Sequence, residues 1–184
     1  MPSIRRVSSA GLTAAEIASI RAMLIDAFEP MAAAEGAFED DDWDHALGGT
    51  HVVLEQDGQI LAHAAVVERP LEIDGRPVRT GYVEAVGTRL GHHGRGHGSA
   101  VMREVNDIIL ADPFELGALG TGRFRFYARL GWERWRGASF VRTPHGLEAT
   151  PDDDGYLMVL RTPSTPPLDV HGSISCDWRP GDVW

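Results

Sequence analysis

The chain has 184 residues, 43% hydrophobic and 24% charged, the balance of a soluble globular protein whose core can form without disulfide or metal staples. A formal net charge of −10 disfavours nucleic acid and anionic membranes as partners and favours cations. The single cysteine, Cys176, excludes an internal disulfide and a multi-cysteine zinc site, and no apolar run approaches the roughly 18–20 residues that cross a bilayer. Arg5-Arg6 is followed by no apolar stretch, so a signal peptide is not expected and a cytoplasmic location is.

In chain order, Thr13 with Glu16 three residues on forms a capping box, and Ile17, Ile20, Leu24 and Phe28 recur at helical spacing, predicting an amphipathic helix over 13–29. Pro30–Asp44 is small, then strongly acidic, and reads as a loop or short helix. His51–Glu55 and Ile60–Glu68 are strand-like runs joined through Asp57-Gly58, a hairpin signal. A second hairpin turns at Asp74-Gly75 between Leu71–Ile73 and Val78–Tyr82, and Val83–Thr88 continues as strand. A glycine-rich turn, Gly91–Gly98, opens a helix to about Ala111 with Val101, Met102, Val105 and Ile108 on one face. Phe114–Leu119, Trp132–Trp135 and Tyr156–Leu160 read as strands and Phe124–Arg129 as a short helix. The tail from Thr162 is proline-rich and ends with two tryptophans, Trp178 and Trp184, which predict that it docks. The order predicts one α/β domain over 1–184, with a mixed, largely antiparallel sheet flanked by helices.

The densest chemical signal is the glycine turn, His93-Gly94-Arg95-Gly96-His97-Gly98, between a strand and a helix. Glycines let a phosphate approach the backbone, the first helical turn offers free N–H groups, and Arg95 adds a full charge. The Gly-Lys-Ser/Thr of a nucleotide P-loop is absent, and the preceding hairpins do not suit a dinucleotide-binding unit. A surface loop is the plain alternative for a glycine run taken alone. His93 and His97 are spaced i, i+4, but no third ligand is in a recognisable position, so no metal is expected.

What remains resembles the pyrophosphate loop of the GCN5-related N-acetyltransferases. Their Gln/Arg-x-x-Gly-x-Gly/Ala pattern falls on His93, Gly96 and Gly98, with His93 a departure from the usual residue. Phe126-Tyr127-Ala128-Arg129-Leu130-Gly131-Trp132 is similar to the segment that carries a tyrosine near the coenzyme sulfur. The resemblance implies the acetyltransferase fold, with the strand before the loop splayed from the next. It implies acetyl-coenzyme A held by the backbone of Val86, Gly87 and Thr88 and by His93, Gly94, Arg95, Gly96, His97 and Gly98.

A closer resemblance, from about Ile20 onward, is to the aminoglycoside 2'-N-acetyltransferases. It rests on Asp42–His51, Gly81-Tyr82-Val83-Glu84, Leu116–Leu119, Thr150–Gly155 and Cys176–Trp184; the second-to-last and last of these are not general acetyltransferase features. This resemblance implies a homodimer and a cationic aminoglycoside or amino-sugar substrate lined by Asp42, Glu84, Ala85 through its backbone, Asp153, Asp182 and Trp184. Two positions depart from it. Ala37 stands where the family can carry another aspartate, for which Glu35, Glu39 or Asp40 could substitute, and Gly120 replaces a serine.

The chemistry suits these residue types. Carboxylates from separate parts of the chain would hold a polyammonium by charge-assisted hydrogen bonds, although each acid alone reads equally as a solvated surface group. The attacking amine must lose a proton, for which Glu84 is the candidate base, working through water. The family expectation for the oxyanion donor is the Val86 N–H, and for the proton donor to the leaving thiolate Tyr127, which could instead be a core residue. Cys176 as an acyl-enzyme nucleophile lacks a histidine–acid set. Three readings stay open: acetylation of an aminoglycoside, acetylation of another amine such as a cell-wall amino sugar, or a non-catalytic binding module that retains the fold.

Overall fold

A computed structural model describes residues 1–32, 36–111 and 114–184. Helix α1 (Ala14–Phe28) begins where the capping box sets it: Thr13 Oγ1 accepts from the Glu16 N–H at 3.3 Å and the Glu16 carboxylate accepts from the Thr13 N–H at 2.8 Å. Its Ile20, Met23, Leu24 and Ala27 are buried, a stripe set by the 3.6-residue repeat. The short helix α2 (Asp40–His45) carries a second box between Glu39 and Asp42 and buries Trp43. Helix α3 (His97–Ala111) follows the glycine turn, and α4 (Phe124–Ala128) bears Tyr127. On α3 the buried residues are Val101, Met102, Val105 and Ile109; the predicted Ile108 is half-exposed, because a repeat of four from Val101 and Val105 lands one residue later.

The strands are β1 (Ser3–Ser8), β2 (Thr50–Gln56), β3 (Gln59–Ile73), β4 (Arg76–Thr88), β5 (Leu116–Gly120), β6 (Glu133–Arg134), β7 (Ser139–Thr143), β8 (Gly146–Ala149), β9 (Leu157–Arg161) and β10 (Ile174–Asp177). Both predicted hairpins form. Asp57 and Gly58 (φ 52° and 76°) and Asp74 and Gly75 (φ 49° and 77°) are left-handed in pairs, the geometry that matches strand twist. The second hairpin is much longer than predicted, since β3 runs unbroken through Pro70 and Val78–Thr88 is one strand with Arg76 and Pro77. Proline withholds one ladder N–H but keeps an extended φ, so it interrupts the pattern without ending the strand. The predicted strand Trp132–Trp135 shrinks to Glu133–Arg134, and its two indoles act as anchors: Trp132 donates to Asn106 Oδ1 at 2.9 Å and Trp135 to the Gly172 carbonyl at 3.1 Å.

Hydrogen-bonded neighbours follow the order β6-β9-β5-β4-β3-β10-β7-β8, with β2 on β3 and β1 on β2. Most pairs are antiparallel; β4 with β5 and β10 with β7 are parallel. The parallel register of β4 with β5 is short, Thr80–Tyr82 against Leu116–Ala118. Strand β10 came out of what the sequence presented as a tail. It inserts beside Glu72 and Ile73 of β3, and Arg69 anchors it through Asp177, Nε to Oδ1 at 2.7 Å and Nη2 to the carbonyl at 2.7 Å.

The chain forms two compact units, Met1–Val67 with Val83–Val105, and Glu68–Tyr82 with Asn106–Trp184; it passes from one to the other within β3, β4 and α3. The first has a core of Leu12, Ile20, Met23, Leu24, Ala27, Phe38, Trp43, Val53 and Ile60. Here β4 lies so close to α1 that a Cβ on Gly87 would sit 2.6 Å from Leu24 Cδ2. The second is centred on Leu71, Tyr82, Ile109, Leu116, Trp135, Met158 and Ile174, all buried. Each fully buried Leu, Ile or Met contributes about 1.5–3 kcal/mol. Among the described residues no helix is long and apolar enough to cross a membrane.

Candidate active site

In the first unit the end of β4 presents Glu84, Ala85, Val86, Gly87 and Thr88, all half-buried. Ala85 is left-handed, φ 52°, which costs an alanine roughly 1–2 kcal/mol. The compensation is visible behind it. The Ala85 carbonyl lies 2.8 Å from His63 Nδ1; His63 Nε2 lies 2.9 Å from His51 Nδ1; and His51 Nε2 lies 2.9 Å from Ser9 Oγ. Both histidines are fully buried, under the indole of Trp43 with ring centroids 5.5 Å and 6.1 Å away. Burial holds both well below the ordinary histidine value, and for His63 the neighbouring His51 adds to this against the raising effect of the Ala85 carbonyl. Both are therefore neutral at working pH.

In the glycine turn Gly94 and Gly96 take φ of 76° and 84°, which an L side chain resists, so Arg95 is flanked by two residues that can make the bend. The turn delivers the chain into α3 at His97, and Ala100 N–H returns to the Gly96 carbonyl at 2.9 Å. The N–H groups of the first turn are thus left for an external acceptor. An open depression beside the turn is lined by Gln56, Leu61, His92, Arg95 and His97, among others. Desolvation, then the charges of Arg95, His97 and Arg89, lowers the His92 pKa, as expected where cationic groups converge. His93 is exposed on the turn. Among the described residues no group of three or more His, Cys, Asp or Glu is gathered as a metal would need.

The second unit gathers another set. The 3-10 turn Pro151–Asp153 carries Asp153, whose carboxyl is held above the usual range, first by burial and then by the negative charge of Asp182, with Thr150 opposing. The docked tail supplies the rest: Trp184 is buried, its Nε1 donates to Thr150 Oγ1 at 3.0 Å and its N–H to Asp182 Oδ1 at 3.2 Å. Of the two tail tryptophans only Trp184 docks; Trp178 stays exposed. A Cβ on Gly120 would stand 3.6 Å from the Trp184 carbonyl carbon, an ordinary van der Waals contact, so the position borders that residue directly and brings no hydroxyl to it. Tyr127 is buried, edge-on to Phe126 at 4.9 Å and to Trp132 at 6.2 Å, and burial pushes its phenol up, so it stays protonated. The Cys176 thiol is pushed up to about 11, first by burial, and its Sγ contacts the Val183 carbonyl at 3.3 Å; a thiol so held is a poor nucleophile.

Asp42 in the first unit has a structural task of its own, since its Oδ2 accepts from the Glu39 N–H at 2.7 Å. Of the proposed substitutes for a further acid, Glu39 closes that same capping box, Asp40 pairs with Arg21, and Glu35 lies outside the described residues.

Residues 10–135 match the family described as the acetyltransferase (GNAT) domain. The aminoglycoside 2'-N-acetyltransferase of Mycolicibacterium fortuitum is 44% identical over 169 residues, 89% of this chain and 83% of that protein. The chain belongs to the GNAT acetyltransferase family. A GNAT family acetyltransferase from Brucella melitensis, solved in complex with acetyl-CoA, has a TM-score of 0.65 at 21% identity, covering 95% of this chain and 94% of that one. The ribosomal-protein-S18-alanine N-acetyltransferase from Escherichia coli has a TM-score of 0.59 at 15% identity, covering 91% and 96%. These two likenesses carry the fold, a mixed α/β acetyltransferase sheet with helices.

The protein is thus an N-acetyltransferase, as the glycine turn and the Tyr127 segment led one to expect. Sequence reading missed Ser9, His51 and His63 in this acetyltransferase. Isolated polar residues in apolar strands signal little, and only the alternation of β2 and β3 could have put the two imidazoles on one face.

Proposed function

We propose that this acetyltransferase moves the acetyl group of acetyl-coenzyme A directly onto the 2'-amine of an aminoglycoside. The observation that carries the reading is the 44% identity over most of the chain with the aminoglycoside 2'-N-acetyltransferase of Mycolicibacterium fortuitum. The crowding of Asp153 by Asp182 beside Trp184 supports it: a carboxylate whose pKa is raised by burial and by a second negative charge gains from a bound polyammonium.

In this reading Gly94, Gly96, Gly98, the charge of Arg95 and the His97 side chain receive the pyrophosphate, with His93 at the rim. The backbone of Val86, Gly87 and Thr88 holds the pantetheine arm. Asp42, Glu84, the Ala85 backbone, Asp153, Asp182 and Trp184 hold the amino sugar. Glu84 takes the ammonium proton through water, the neutral nitrogen attacks the thioester carbon, and the Val86 N–H receives the oxyanion. The carbon–sulfur bond then breaks, Tyr127 supplies a proton to the departing thiolate, and the second proton of the acylated nitrogen passes through water back to the Tyr127 oxygen. The products are the N-acetyl sugar and the free thiol. The reaction takes place in the cytoplasm, where acetyl-coenzyme A is at hand, in a homodimer of single-domain subunits whose 162–184 tail closes the substrate end. The net charge of −10 leaves nucleic acid and membranes out of this function.

Asp182→Asn tests the substrate assignment. The amide keeps the Oδ1 that accepts from Trp184 N–H and removes only the charge. The KM for the aminoglycoside should rise roughly 10-fold, the worth of one charge-assisted hydrogen bond, with the KM for acetyl-coenzyme A unchanged. Equal weakening of both would make the tail a structural element only. A second reading, acetylation of a cell-wall amino sugar or another small amine, is favoured by Gly120, which offers no hydroxyl beside Trp184 where the resemblance expects a serine. Thiol release with such amines and not with aminoglycosides would select it.

A further inference from the structure

We propose that the buried Ser9–His51–His63 chain is a positioning device that sets the Val86 N–H for the oxyanion. The inference rests on the acetyl-transfer reading above, which gives that N–H its task.

The hydrogen-bond inventory fixes the direction of the chain. A carbonyl can only accept, so His63 Nδ1, 2.8 Å from the Ala85 oxygen, must carry a proton. His63 is neutral, so its Nε2 is a lone pair and accepts from His51 Nδ1–H at 2.9 Å. His51 Nε2 is then also a lone pair, and the single Ser9 hydroxyl proton goes to it at 2.9 Å rather than to the Gly49 carbonyl, which lies farther, 3.2 Å from the same oxygen. The Ser9 oxygen in turn accepts the Gly48 N–H at 2.9 Å. The opposite arrangement would set the His63 Nδ1 lone pair against the carbonyl lone pairs. Four groups from β2, β3 and two loops thus end on one backbone oxygen, with Trp43 covering both rings.

That oxygen belongs to the peptide joining Ala85 to Val86. The plane is trans and rigid, so its N–H points opposite to its C=O, and holding the oxygen aims the Val86 N–H. The left-handed Ala85 needs such a restraint, because without it the residue would relax towards an ordinary strand conformation and turn the plane. A hydrogen bond to the carbonyl also polarises the amide and strengthens its N–H as a donor. His63 touches no reacting atom in this account; it acts through the peptide it holds.

The test compares full-length His63→Leu, His63→Asn and His51→Phe with the wild type in steady-state kinetics and thermal melts. His63→Leu should lower kcat roughly 10- to 100-fold, towards the loss seen when an oxyanion donor is removed, with both KM values within about twofold. The asparagine amide nitrogen falls near the place of Nδ1 and should recover most of kcat. His51→Phe, which leaves His63 free to change tautomer, should lose several-fold. Should His63→Leu fail to fold, the other two carry the comparison. Independently of turnover, ring 15N shifts should show the proton on Nδ1 of both histidines; an Nε2 proton on either overturns the chain. A folded His63→Leu with unchanged kcat, or losses that track Tm equally in Leu and Asn, overturns the inference alone. A wild type that releases no thiol with any amine overturns the acetyl-transfer reading and the inference with it.

Discussion

Glu84→Gln is expected to lower kcat/KM roughly 10²- to 10⁴-fold near neutral pH, and the deficit is expected to shrink as pH rises. Glu84 sits half-buried on β4 immediately before the left-handed Ala85, so its carboxylate belongs to the segment whose backbone receives the thioester in the proposed mechanism. An aliphatic ammonium has no lone pair and cannot attack. A base that removes its proton raises the reactive fraction, and that advantage fades as solution itself deprotonates the amine. Glutamine keeps the size and can accept a hydrogen bond but cannot take the proton. A pH–rate profile of the variant against the wild type reads this out. A deficit constant over pH would reduce Glu84 to a carboxylate that only binds the substrate cation.

Tyr127→Phe is expected to lower kcat roughly 10- to 100-fold, with little change in either KM or in Tm. Burial pushes the phenol up, so it remains protonated throughout the working range and can give a hydrogen bond or a proton to sulfur. Phenylalanine preserves the edge-on packing with Phe126 and Trp132, so a fall in turnover would report the hydroxyl and not a collapsed core. Unchanged turnover would make Tyr127 a packing residue. A leaving thiol of lower pKa needs less help, and the deficit should narrow with a more acidic thioester.

Local signals were legible where a short stretch determines its own shape. Thr13 with Glu16 starts α1, the two Asp-Gly pairs close the hairpins, and Gly94 and Gly96 make the bend before α3. Strands whose stability comes from distant partners were not. β10 is Ile174-Ser175-Cys176-Asp177, too short and polar to announce itself; it is held by β7, by β3 and by Arg69, all far away in sequence. β1 and the fully exposed β8 lie at edges, where one-sided pairing leaves no apolar alternation to read.

The candidate site divides along the same line. The glycine turn could be read from residue types, because backbone N–H groups bind phosphate in a recognisable setting, whereas Tyr127 was picked out by the resemblance of the Phe126–Trp132 segment. Asp153, Asp182 and Trp184 stood out only through resemblance, since their mutual proximity depends on the tail returning to the 3-10 turn at Thr150. The conformation of Ala85 was invisible, because alanine carries no bias towards φ 52°. Its support by His63 arises only once β2, β3 and β4 are paired in register.

The central claim is acetylation at the 2' position, and thiol release from acetyl-coenzyme A with kanamycin B set against kanamycin A tests it most directly. The two differ at that position, where kanamycin A carries a hydroxyl in place of the amine. The account predicts thiol release with kanamycin B and none with kanamycin A. Equal release with both would contradict the position, and release with neither would contradict the substrate.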